Sequence, residues 1–233
     1  ILFSFISLFL IYSCVQKEER ITILHPKNTN ESDQLRTGLD VLIEDYPNLL
    51  KSKSIGVITN ETGVSNENVQ NVEILIDDGN IQIRRIFTLN TRYKKKLDTK
   101  VSTKFKRSSQ KQPEIISLEQ EKTINAKFLE NLDYLIYDVQ GLGSRVDTAI
   151  KTLNMVLNAS AKSKIDLIIL DRPNPLGGEI LEGPIADTSY SSNFRIYPIP
   201  TRYGLTTAEL SLMAVQEKWL SMIPKIIIIL MDG

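Results

Sequence analysis

The chain has 233 residues, 42% hydrophobic and 24% charged, which is ordinary globular composition and excludes a disordered polyelectrolyte. Lys plus Arg number 28 and Asp plus Glu number 28, so no global field recruits nucleic acid, and none is expected as a partner. With one Cys and one His, a disulfide framework, a zinc centre and a Ser-His-Asp triad are all excluded within these residues.

In chain order, Ile1 to Ser13 is uncharged and apolar but for three serines and a tyrosine, the pattern of a signal h-region. As a helix it would rise only about 20 Å, short of a hydrocarbon layer of roughly 30 Å, and a start upstream of Ile1 is expected. Cys14 closes this run behind Ser13 and resembles the cysteine of a bacterial lipobox. That resemblance implies lipidation of Cys14, membrane attachment and a place in the bacterial cell envelope. An ordinary cleaved signal peptide or a plain anchor is the alternative.

Residues 15–34 are polar and read as a tether, so the folded unit is expected over 35–233. Within it, Ser54 to Asn60, Ile81 to Phe87, Leu132 to Asp138, Ile165 to Leu170 and Lys225 to Met231 read as strands. Helical patterns cover Val69 to Ile76, Ser144 to Ala161 and, from the capping box Thr206 to Glu209, a segment reaching about Trp219. Alternation of this kind predicts an α/β fold, a Rossmann-like parallel sheet flanked by helices. The apolar Lys225 to Met231 strand, with nothing after it, is expected to leave an exposed edge. Arg84 to Lys111 carries eleven basic residues against one acid, Asp98, leaving about ten net negative charges elsewhere. The segment reads as a solvated, poorly ordered basic loop over 84–111, or else as a grip on an anionic polymer or phospholipid surface.

In a parallel sheet, ligands bind beyond the carboxyl ends of the strands. The candidates there are Thr59-Asn60, Asp138-Val139-Gln140 and Asp171-Arg172-Pro173-Asn174-Pro175. Their hydrogen-bonding side chains suit a multi-hydroxyl ligand; Asp171 and Arg172 could equally pair with each other or cap a helix. Gly141-Leu142-Gly143-Ser144-Arg145-Val146 follows a strand but lacks the third glycine of a dinucleotide loop, and Ser144 as N-cap explains it as well. No cofactor is expected.

Several strings together resemble the NamZ/YbbC family of exo-β-N-acetylmuramidases. They are TGLDVL (Thr37 to Leu42), GVITNETGV (Gly56 to Val64), YDVQGLGSR (Tyr137 to Arg145), LDRPNPLGG (Leu170 to Gly178), LEGP (Leu181 to Pro184) and YPIPTRYGLTTAEL (Tyr197 to Leu210). The resemblance implies a Rossmann-like domain followed by a second domain, and removal of terminal N-acetylmuramic acid from peptidoglycan fragments by carboxyl chemistry. It implies substrate-facing roles for Asn60, Asp138, Gln140, Arg145, Asp171, Arg172, Asn174 and Arg202, with Glu182 as the remaining candidate acid. The sequence departs from the family pattern at the expected catalytic Glu, which is Asn90, and an amide cannot give or take the proton. Further departures are Tyr203 in place of a His, Gly141 in place of an acid, Val146, Asp147 and Ala149 in place of aromatics, and an end at Gly233 where the family continues. The expectation is a lipid-anchored relative whose catalysis is degenerate, an active exo-muramidase being the alternative.

Overall fold

The computed structural model describes residues 20–27, 34–105, 111–189 and 195–233. The expectations for Ile1 to Ser13 and for Cys14 lie outside the described residues. Among the described residues no helix is long and apolar enough to cross a membrane.

Seven parallel strands form one sheet: β1 (Ile21–Leu24), β2 (Ser54–Thr59), β3 (Gln82–Thr88), β4 (Glu114–Ser117), β5 (Tyr134–Asp138), β6 (Asp166–Leu170) and β7 (Ile226–Ile229). Their spatial order is β1-β7-β6-β5-β2-β3-β4. The helices are α1 (Gly38–Asp45), α2 (Asn71–Asp77), α3 (Thr91–Phe105), α4 (Thr148–Ser163) and α5 (Thr207–Gln216). The expected α/β architecture is what the chain adopts.

The strands are continuous apolar runs because both faces of the sheet are covered. Successive side chains point to opposite faces, so Ile58, Leu135, Tyr137, Leu167, Ile169 and Ile228 meet α4 and α5 through Leu153, Val156, Leu157 and Leu210. Ile55, Val57, Ile86, Ile136, Ile168 and Ile229 meet α1, α2 and α3 through Leu39, Leu42, Val72, Leu97 and Val101 on the other side.

Three expectations are corrected. The tether is not uniformly unstructured: Ile21 to Leu24, three apolar residues around Thr22, pairs in register with Ile226 to Ile229. β7 is therefore an inner strand covered by β1, and the exposed edge expected there does not exist; the sheet edges are β1 and the four-residue β4. Through Phe105 the basic segment is strand and helix rather than loop. Tyr93, Leu97, Val101 and Phe105 recur every four residues, are buried, and make α3 amphipathic, a period masked in the sequence by the lysines between them. Residues 106–110 lie outside the described residues.

The segment before α1 is fastened to the segment after β7. Arg36 is buried, with ion pairs to Glu44 at 2.7 Å, Asp45 at 3.1 Å and Asp232 at 3.2 Å, while its backbone N–H donates to the Asp232 carbonyl at 2.8 Å. Gly38 lets α1 press onto the strand ends: a Cβ there would stand 2.4 Å from the Asp171 nitrogen and 2.6 Å from the Ile229 oxygen.

Candidate functional site

The chain runs from β2 outward to β3 and β4, then returns to the other side of β2 to form β5. The crevice beyond the carboxyl ends of β2 and β5 is thus the point where winding reverses, the usual ligand site of such a sheet. Thr62 links the two loops that flank it. Its hydroxyl donates to Asn60 Oδ1 at 2.5 Å and accepts from the Gln140 backbone N–H at 3.0 Å, while the Thr62 N–H also donates to Asn60 Oδ1 at 3.1 Å. The Gln140 amide reaches onward, Nε2 donating to the Pro173 carbonyl at 3.1 Å. Three strand-end loops are therefore tied side by side.

Beneath them lies a buried polar layer. Arg172 is 2% exposed and grips the fully buried Asp138, Nε to Oδ1 at 2.6 Å and Nη2 to Oδ2 at 3.1 Å; Nη2 also donates to the Val64 carbonyl at 2.9 Å. Asn71 Nδ2 donates to Asp138 Oδ2 at 2.6 Å and to Thr59 Oγ1 at 2.9 Å. Both carboxylate oxygens accept hydrogen bonds, one at Oδ1 and two at Oδ2, as a charge held out of water requires. Asp138 and Arg172 have no surface to offer a ligand; what they do is hold the β2, β5 and β6 loops at fixed heights. Gly63 belongs to the same layer, since a Cβ there would meet Thr59 Oγ1 at 2.3 Å and Asn71 Nδ2 at 2.6 Å.

Asp171, 3% exposed, accepts from the Ala208 N–H at 3.1 Å at the start of α5. Burial pushes its carboxyl up from the usual carboxylate range, partly offset by hydrogen bonds from Thr206 and from the Ala208 backbone. Of the two ordinary explanations open to this Asp-Arg dipeptide, Asp171 takes the helix-capping one, while Arg172 pairs across the sheet with Asp138 rather than with its neighbour.

The solvent-facing rim comes from the loops after β5 and β6. Asn174 Nδ2 donates to the Leu205 carbonyl at 3.0 Å, and its Oδ1 accepts from Leu176 N–H at 2.9 Å. Gly143, at φ +78, approaches so closely that a Cβ would fall 2.1 Å from Asn174 Oδ1. Close loop packing, not a pyrophosphate, explains that glycine. Ser144 is not the N-cap of the next helix: Asp147 is, its Oδ1 accepting from Ala149 N–H at 3.1 Å and its Oδ2 from Leu142 N–H at 2.7 Å. Arg202 pairs through its backbone with Glu182 and Ser144, and its guanidinium holds the Glu182 carboxylate at 3.1 Å and donates to the Leu176 carbonyl. Arg145 reaches Thr201 Oγ1 at 3.3 Å and the Pro184 carbonyl at 3.4 Å. Tyr203 is buried beside these loops, and that burial, with Asp147 nearby, pushes its phenol up to about 12.

Asn90 lies past β3, on the opposite flank of β2. Its Oδ1 accepts from the Tyr93 N–H at 2.6 Å and caps α3, and its Nδ2 faces Glu61 Oε2 at 3.5 Å. Neither Glu61 nor Thr62 was singled out in the sequence, although both directly follow Asn60. Glu61 is an exposed carboxylate at this end of the sheet and the residue nearest in chemistry to what position 90 lacks. Asn71 was also missed; a polar residue opening an amphipathic helix carries no sequence signal for a contact 67 positions away.

Residues 55–233 match the family model described as exo-β-N-acetylmuramidase NamZ, N-terminal. The peptidoglycan β-N-acetylmuramidase NamZ of Bacillus subtilis (strain 168) is 30% identical over 203 residues, covering 81% of this chain and 46% of that protein. Two crystal structures of DUF1343 family proteins from Bacteroides fragilis NCTC 9343 superpose with TM-scores of 0.75 and 0.71, at 31% and 30% identity. Each comparison covers 87% of this chain, and 51% and 53% of theirs. The chain thus spans about half the length of the relatives it matches. Matching the family model over most of its length and sharing the fold of these neighbours, the chain belongs to the NamZ exo-β-N-acetylmuramidase family, through that family's N-terminal domain.

Proposed function

We propose that this domain recognises N-acetylmuramic acid ends of peptidoglycan fragments in the crevice beyond β2 and β5, on a protein held in the bacterial cell envelope by lipidated Cys14, and that its hydrolytic chemistry is degenerate. The observation carrying the reading is Asn90: at the position that the family resemblance gives to a catalytic Glu stands an amide whose oxygen is committed to capping α3. An amide cannot protonate a glycosidic oxygen. The rim residues Asn60, Gln140, Asn174, Arg145 and Arg202 retain donors and acceptors suited to sugar hydroxyls and to the lactyl carboxylate. Calorimetric titration with N-acetylmuramic acid is expected to give binding that Arg202→Ala weakens at least tenfold, with no chromogen released from para-nitrophenyl N-acetylmuramide. Turnover by the unmodified chain refutes degeneracy; absence of sugar binding refutes recognition. Incorporation of a labelled fatty acid that Cys14→Ser abolishes is the corresponding test of the anchor.

A second reading, an active exo-muramidase, is favoured by Glu61, whose carboxylate stands 3.5 Å from the Asn90 amide. On that reading Glu61 supplies the proton, and Glu61→Gln eliminates turnover.

A further inference from the structure

Nine large hydrophobic side chains are exposed among the described residues, and six of them lie on the loops after β5 and β6: Leu142, Val146, Leu176, Ile180, Leu181 and Ile185, between 41% and 68% exposed. Backbone contacts bring those loops edge to edge. Arg202 forms bridges with Ser144 on one side and Glu182 on the other, its guanidinium donates to the Leu176 carbonyl, and the Arg145 N–H donates to the Thr201 carbonyl at 2.8 Å. Single exposed hydrophobics are ordinary, whereas a group of them on adjoining segments marks a contact surface.

The loop after β6 carries most of this surface. Every residue from Pro175 to Ile185 is exposed, yet the segment is held in one shape. Gly177 N–H donates to the Asn174 carbonyl at 2.9 Å, Glu182 and Arg202 exchange backbone hydrogen bonds at 3.2 and 2.9 Å, and Gly183, at φ +83, sits where a Cβ would meet Thr201 Oγ1 at 2.6 Å. A loop that only connected β6 to α5 would have no use for four large apolar side chains turned to solvent in so short a stretch.

We propose that this apolar face is the seat of a second folded unit, of the kind that makes up the remaining half of the relatives. Two observations select that occupant. The relatives that this chain matches are about twice its length, so each holds a further unit of comparable size. β7 runs parallel to β6, with Ile229 beside Leu170, so residues following β7 emerge at the sheet end that bears the face, next to the strand whose loop forms most of it. A bilayer fits less well. The charged residues between Pro175 and Ile185 are Glu179 and Glu182, and no lysine occurs from Ile165 to Glu217, so the face lacks the basic rim by which apolar side chains settle on an anionic leaflet. Glu182 is paired with Arg202 and Glu179 has no ion pair among the described residues, which calls for an apolar partner surface with a cation opposite Glu179. The proposal does not depend on the sugar reading.

Hydrogen exchange tests it, on the chain alone and on a chimera that carries, after Gly233, the unmatched half of the first Bacteroides fragilis DUF1343 protein. The backbone amides between Leu176 and Ile185 are expected to exchange about tenfold or more slowly in the chimera. The double substitution Leu181→Glu, Ile185→Glu is expected to leave the thermal midpoint of the chain alone within about 2 °C, since both side chains are exposed, and to abolish the protection in the chimera. Equal exchange in the chain and in a folded chimera overturns the proposal. So does a dimer of the chain alone, seen by light scattering and broken by the double substitution, which gives the face to a second copy. Should the chimera not fold, the two Bacteroides fragilis crystal structures decide: the positions aligned with the six residues must lose most of their exposed area to the unmatched half, and solvent exposure of those positions there overturns the proposal.

Discussion

Replacing Arg172 by Met removes three hydrogen bonds at once: two to Asp138, at 2.6 and 3.1 Å, and one to the Val64 carbonyl at 2.9 Å. Asp138 has no exposed surface, so its charge would be left with Asn71 Nδ2 as its remaining side-chain partner. Breaking one side of a buried pair in this way costs about 3–5 kcal/mol, most of it the burden of the stranded carboxylate. For a domain of this size that corresponds to a fall in thermal midpoint of roughly 6–20 °C. Urea unfolding followed by far-UV circular dichroism measures the loss. Trp219 fluorescence is an independent probe, because that ring stacks on Tyr197 at 5.1 Å in the layer under α4 and α5. The double substitution Asp138→Leu with Arg172→Met removes the stranded charge and is expected to recover more than half of the loss. A single Arg172→Met protein within about 1 kcal/mol of wild type would refute the argument that this pair is the fastening of the three loops.

Asp171→Asn keeps an acceptor for the Ala208 N–H and removes a carboxyl whose folded-state value is raised by burial. A raised acid favours the fold while protonated and loses that contribution as pH climbs from the unfolded value through the folded one, so the variant should match or exceed wild-type stability at pH 7. The difference should close as the pH is lowered below 3.8, where both side chains are neutral; a gap that widens in acid contradicts the sign. Asn90→Ala removes the cap of α3 and should cost about 1 kcal/mol in urea unfolding, with Asn90→Asp close to wild type. Gly38→Ala sets a methyl group against backbone atoms of β6 and β7 that cannot yield, and a loss of about 2–3 kcal/mol is expected; a neutral result would mean that α1 can slide.

The sheet was legible because burial on both faces writes a strand as an unbroken apolar run: Asp166–Leu170 and Ile226–Ile229 need no context to be read. β1 was not, since a four-residue edge strand within polar sequence acquires its meaning only from Ile226 to Ile229 more than 200 positions later. α3 was missed for a different reason: its apolar positions are a quarter of its length, and the charge of the intervening residues dominates any composition window. At the site, strand-end position could be read but side-chain role could not. Asp138 ends β5 while Arg172 and Asn174 follow β6, yet Asp138 and Arg172 are sealed beneath the crevice and Asn174 is at its rim, a division set by which groups find partners across the sheet. Glu61 lay in plain view beside Asn60 and gained interest only once Asn90 was found next to it.

Ile21 opens β1 at the amino-terminal edge of the sheet, whereas the crevice proposed to take the sugar lies beyond the carboxyl ends of β2 and β5. With Cys14 lipidated as proposed, roughly seven residues separate the lipid from Ile21, a reach of at most about 25 Å. So short a leash keeps one edge of the domain at the bilayer and turns the opposite edge outward. Such a protein samples the wall only within a shell about one domain deep, and lengthening the leash, rather than altering the crevice, would be the way to change which glycan ends it can meet.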